Sequence, residues 1–135
     1  MKNCICIPIT YLFIVLVMPI DLYAYKYGLC SCLVQKFELS IWTSILEESI
    51  DGFIFLGDNV YGDLPSGSLR KMVSAYNKQK NNFPEWMKNV EILPIWDDHD
   101  YGLNDAGSEY PLKRQSQEIF LNFWGIPLDD DRHNR

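Results

Sequence analysis

Two short apolar runs, each emptying into an acidic loop, constrain this chain more than any other feature of its sequence. Residues 53–56 (Phe-Ile-Phe-Leu) lie between Gly52 and Gly57, and residues 90–96 form the second run. A continuous apolar stretch of strand length, bounded by glycine, predicts a strand buried on both faces. Helix patterns alternate with these runs. Ser40 is a fair N-cap for a helix reaching about residue 49, with Ile41, Trp42, Ile45 and Leu46 at helical spacing, Glu47 and Glu48 outward, and Asp51-Gly52 as its end. Ser68 caps a further helix carrying Leu69, Met72, Val73 and Tyr76, which the polar residues 77–82 interrupt. Pro84 opens a short helix with Trp86 and Met87 on one side. Residues 112–124 read as an amphipathic helix with Ile119, Phe120 and Phe123 inward, residues 97–111 as a polar loop, and the tail from Asp129 as charged and unpatterned. With β-formers at residues 25–34 supplying a first strand, the order of elements predicts an α/β fold with a largely parallel sheet.

The chain has 135 residues, enough for one domain. Residues 5–20 are almost wholly apolar and follow Lys2, and Ala24 supplies a small residue at a plausible cleavage point. That pattern predicts a signal peptide over residues 1–24 and a secreted or extracytoplasmic domain over 25–135. An uncleaved N-terminal membrane anchor is the alternative, weakened by Pro8, Pro19 and a run near the short limit for a bilayer. The formal net charge of −6 argues against nucleic acid or an anionic membrane as partner, since both reward clustered Lys and Arg. An acidic chain still binds phosphate esters if its carboxylates first bind cations. Four cysteines occur; Cys4 and Cys6 fall in the leader, leaving Cys30 and Cys32, either an oxidised pair, strained at so short a separation, or a metal ligand. Trp42, Trp86, Trp96 and Trp124 fall with core faces and read as packing, and Lys113-Arg114 as a solvated helix start.

Ligands of open α/β sheets bind beyond the carboxyl ends of the strands. Here the run at 53–56 leads into Gly57-Asp58-Asn59-Val60-Tyr61-Gly62-Asp63, and the run at 90–96 into Asp97-Asp98-His99-Asp100. Placing both at one sheet edge brings Asp58 within reach of Asp98 and His99. Carboxylates that hold cations beside a histidine suit hydrolysis of a phosphate ester: the cations activate water and offset charge on the phosphoryl oxygens, and the histidine protonates the leaving oxygen. Gly57-Asp58-Asn59 is also ordinary turn chemistry, and the second run also reads as a solvated loop. Three acids around one histidine, however, repel one another unless a cation compensates.

These two segments, with Asn104-Asp105-Ala106-Gly107 after the second, resemble the PhoD-like metallophosphatases, the alkaline phosphatase D and phosphodiesterase branch of the calcineurin-like metallophosphoesterases. Ser31-Cys32-Leu33-Val34-Gln35 is similar to the family's Gly-Ser-Cys element, with Cys30 at the glycine position and Trp42 at the matching place in the next helix. The resemblance covers roughly residues 26–133 and implies the first half of a metallophosphoesterase-like sandwich, helices flanking β-sheets, with the remaining His and Asp motifs and a second sheet downstream. It implies a ferric iron and calcium site in which Cys32 and Tyr61 ligate iron, Asp58 bridges metals and Asp98 takes the position of a metal-binding Asn. His99 is then the acid or the phosphate contact. Asn59, Asp97 and Asn104 are further candidates for metal or phosphate contact, and the tail residue His133 reads as solvated. Oxygen-rich ligation at Asp58 and Asp98 suits calcium on its own chemistry as well.

Three functions follow as expectations: a metal-dependent hydrolase of phosphate mono- or diesters acting on a small-molecule substrate, a truncated and inactive fragment of one, or a secreted calcium-binding module.

Overall fold

The computed structural model describes residues 23–37 and 40–134. Three short strands, β1 (Tyr27–Cys30), β2 (Gly52–Leu56) and β3 (Glu91–Ile95), form a parallel sheet in that spatial order. Leu29, Ile54 and Leu93 lie in one register row across it. Helix α1 (Ile41–Glu47) connects β1 to β2, and α2 (Met72–Asn82) followed by a 3-10 turn (Glu85–Asn89) connects β2 to β3. The short α3 (Asp98–Tyr101) and the longer α4 (Lys113–Phe123) come after β3. The described part of the molecule is thus a mixed α/β fold on a small parallel sheet, as the alternation of runs predicts.

Two groups of side chains hold the helices to the sheet. Phe53 and Phe55, alternate residues of β2, are fully buried against Leu33, Trp42 and Met87. Val60, Met72, Tyr76, Phe120 and Leu121 form the second group, and Trp124 packs against both. Complete burial of a phenylalanine of this kind contributes on the order of 2–3 kcal/mol. The tryptophans serve as packing, as expected; Trp42 meets the rings of Phe53, Phe83 and Trp86.

Several expectations need correction. The first strand stops at Cys30 rather than running to residue 34, because Cys32 adopts a left-handed backbone (φ 58°) that no strand accommodates. Residues 77–82 continue α2 instead of interrupting it: Gln79 is wholly buried on the same side as Ala75 and Tyr76, while Asn77, Lys78 and Lys80 face solvent. The loop at 97–111 contains α3, started by a capping box in which Asp97 accepts from the first-turn backbone and Asp100 from the Asp97 N–H. The tail carries a 3-10 turn (Asp131–Asn134), with Asp130 holding the Arg132 guanidinium at 2.8 Å. Finally, the strands are buried on one face. On the other, Leu29, Leu56, Leu93 and Ile95 are all more than 40% exposed, because no described element packs there. The signal expected over 1–24 falls almost wholly outside the described residues, among which no helix is long and apolar enough to cross a membrane.

Candidate metal centre

The carboxyl ends of β2 and β3 meet at one edge of the sheet. β2 leaves through Gly57 (φ 96°), whose missing side chain matters: a Cβ there would stand 2.5 Å from that of Asp97. The two loops therefore approach as closely as they do because residue 57 is glycine. Asp58 follows, also in the left-handed region (φ 51°), and Cys32 opposite it shares that conformation. A non-glycine residue there costs on the order of 1 kcal/mol, and such residues cluster where function demands a fixed side-chain direction. Leu33 N donates to Asp58 O at 2.8 Å and ties the two strained turns together.

The side chains converge accordingly. Asp58, Asp98 and His99 each offer a ligand atom, and these atoms lie within 4.8 Å of one another. Tyr61 Oη donates to Asp58 Oδ2 at 2.9 Å, and Cys32 Sγ to the same oxygen at 3.5 Å. The other oxygen, Asp58 Oδ1, is sealed from solvent and has no hydrogen-bond partner. An unpartnered buried carboxylate oxygen is costly in an apolar setting, and a cation removes that cost. The set of carboxylates, imidazole, phenol and thiol fits a hard cation on the oxygens, and the thiol and phenol suit a more acidic ion such as ferric iron. Burial, then the hydrogen bond to Asp58 and the nearby thiol, raise the Tyr61 pKa well above that of a free phenol, so Tyr61 keeps its proton.

Asp98 and His99 sit in the first turn of α3. Burial works to raise the Asp98 pKa, but N–H groups of Asp105 (2.5 Å) and His99 (2.8 Å) outweigh it and hold the carboxyl below its ordinary value. Asp98 is thus ionised and aimed by its own backbone. His99 Nδ1 lies 2.9 Å from Asp63 Oδ1 and off the line of a straight hydrogen bond, and the His99 ring packs 4.3 Å from that of Tyr61. Burial lowers the imidazole pKa; the contact with Asp63 and the charges of Asp58 and Asp98 overcome this and leave it raised.

A buried layer holds the edge in place. Asp100, wholly buried, accepts from Asn59 N at 3.1 Å, Asn59 Nδ2 at 2.9 Å, Asp97 N at 3.1 Å and Tyr76 Oη at 2.7 Å. It clamps the turn after β2 to the start of α3. Burial pushes its pKa up to about 6 against those donors. Gln35 adds a second clamp, with Oε1 accepting from Tyr61 N at 2.9 Å and Nε2 donating to Tyr61 O at 3.0 Å.

Cys32, Asp58, Tyr61, Asp98 and His99 are therefore brought together. The lesser candidates divide. Asn59 turns inward and spends Nδ2 on Asp100 and Ile95 O, while its Oδ1 is buried without a hydrogen-bond partner; Asp97 caps α3. Asn104 donates to Asp105 at 2.6 Å, next to the N–H that fixes Asp98. His133 lies against Ile126 O in the tail. Cys30 and Cys32 are free thiols; burial, then the neighbouring Cys32, push the Cys30 thiol up to about 12, making it inert. Asp63 and Asp100 carry roles that residue type alone did not disclose, although Asp100 stands at the third helical position after Asp97, the acid position of a capping box. No protein-family model, curated protein or solved structure matches the chain.

Proposed function

We propose that the chain is a PhoD-like metallophosphatase segment whose sheet edge carries out metal-dependent hydrolysis of phosphate mono- or diesters. One observation carries this reading: two successive parallel strands deliver Asp58, Asp98 and His99 to a single point, with the Asp58 Oδ1 lone pairs left open. Asp58 and Asp98 would hold calcium, and Cys32 with Tyr61 would hold a ferric ion at the shared Asp58. When bound, such cations supply charge toward the phosphoryl oxygens and acidify a water. The chain's own residues do the rest. Asp63 occupies Nδ1 of His99 and leaves Nε2 as the nitrogen that hands a proton to the departing oxygen. The left-handed turns at Cys32 and Asp58 set the directions in which their Cα–Cβ bonds leave the backbone. The bare apolar face of the sheet supports the sandwich reading, because parallel sheets are ordinarily covered on both sides. The apolar leader at residues 5–20 supports delivery outside the cytoplasm.

The test is hydrolysis of p-nitrophenyl phosphate and bis(p-nitrophenyl) phosphate by chain loaded with iron and calcium. Turnover that is abolished by chelation and by Asp58→Asn supports the reading. Turnover that survives both refutes it.

A further inference from the structure

Next to the cluster, with Tyr61 and Asp63 forming part of its wall, lies a cleft of about 380 Å³. Lys71, Ser74 and Lys78 line it from one face of α2 and its N-cap, and Lys36 lines it from the turn after β1. None of the three ammonium groups has a carboxylate partner among the described residues, where lysine ion pairs join Lys26 to Glu48 and Lys88 to Glu85. The carboxylate in the wall, Asp63, is engaged with His99 and so adds little repulsion. In a chain whose 18 acidic residues outnumber its 12 basic ones, three cations around one cleft with no carboxylate partner among the described residues favour an anion at that spot. The cleft has the volume of a small molecule's polar group rather than of a polymer, and the net charge of −6 repels nucleic acid and anionic bilayers.

We propose that this cleft is a subsite for a second phosphoryl group, so that the substrate class is a small organophosphate carrying another phosphate beyond the one that is cut. The proposal rests on the phosphoesterase reading above, since Tyr61 is common to both sites. It is tested on the full chain in two ways. The first is calorimetric binding of inorganic tripolyphosphate in EDTA, where no cation contributes. The second is the ratio of kcat/KM for ADP to that for bis(p-nitrophenyl) phosphate after loading with iron and calcium. Exposed charge pairs of this kind are worth about threefold each, so Lys71→Ala with Lys78→Ala is expected to weaken tripolyphosphate binding about tenfold and to lower the kinetic ratio similarly. Lys80→Ala with Lys88→Ala, the same change in net charge away from the cleft, is expected to leave tripolyphosphate binding as it was. Tripolyphosphate binding that depends on Lys71 and Lys78 without hydrolysis of either ester supports the cleft and sinks the enzymatic reading. Hydrolysis with tripolyphosphate binding absent, or weakened equally by both double variants, overturns the cleft and leaves the enzymatic reading standing.

Discussion

Removing one hydroxyl tests whether the buried layer beneath the centre behaves as described. Tyr76 Oη donates to Asp100 at 2.7 Å, and both residues are almost wholly buried. Tyr76→Phe deletes that donor and leaves the ring in place. A hydrogen bond to an ionised group is worth about 1.5–3 kcal/mol, and one between neutral groups about 1 kcal/mol. Asp100, with a pKa near 6, is ionised at pH 7.5 and protonated at pH 4.5. The variant should therefore cost about 2 kcal/mol at pH 7.5 and about 1 kcal/mol at pH 4.5. The sign follows from linkage: because burial raises the folded pKa above 3.8, the stability this carboxyl contributes is fully present below pH 3.8 and is lost as pH rises through about 6. Loss of Tyr76 Oη raises the folded pKa further, so the variant loses more stability on the way up, and the gap of about 1 kcal/mol corresponds to a further rise of about 0.7 pH unit. Urea unfolding of both proteins in EDTA, followed by tryptophan fluorescence, measures the cost at each pH. A cost that is the same at both pH values, or below about 0.5 kcal/mol at pH 7.5, refutes the assignment of Asp100 as a buried anion held by Tyr76.

Other outcomes follow from the same geometry. Asp58→Asn should abolish metal binding yet stabilise the metal-free chain by about 1 kcal/mol, since it replaces a carboxylate with one buried, unpartnered oxygen by a neutral amide, and asparagine tolerates the left-handed backbone; thermal melts in EDTA check it. Asp63→Ala should move the neutral His99 ring away from the Nδ1–H tautomer, read from nitrogen-15 NMR of the imidazole, and an unchanged tautomer would remove Asp63 from its orienting role. Cys32→Ser should remove the thiolate contribution to the visible charge-transfer absorption of the iron-loaded chain and leave that of Tyr61, while changing stability by less than about 0.5 kcal/mol, because Cys32 is exposed. Phe55→Ala, at the centre of the packed sheet face, should cost about 3–5 kcal/mol in urea unfolding.

The strands and the helices between them were readable from hydrophobic period, because β2 is a continuous apolar run between glycines and β3 lies in a run at 90–96 that is apolar apart from Glu91. The gathering of Asp58, Asp98 and His99 was readable too, since parallel neighbours put their carboxyl ends together. What failed to show in the sequence depends on tertiary context. Gln79 looks like a polar breaker but is buried within α2, and a single-residue reading cannot see its surroundings. Asp97 and Asp100 flank Asp98 and His99 in one acidic run, and their spacing is also that of a capping box, a role that becomes visible only with α3 in place. Asn59 was drawn inward by the same buried carboxylate. The end of β1 was misplaced because a cysteine at positive φ leaves no mark in a pattern of β-formers.

Whether Asp58 and Asp98, beside His99, hold a cation decides the proposed chemistry. The most direct measurement is metal content per chain after equilibration with iron and calcium and removal of free ions, on the wild-type chain and on Asp58→Asn. We predict at least one tightly held ion per wild-type chain and its loss in the variant. A wild-type chain that emerges metal-free, or a variant that retains the same content, would rule out a cation held by Asp58.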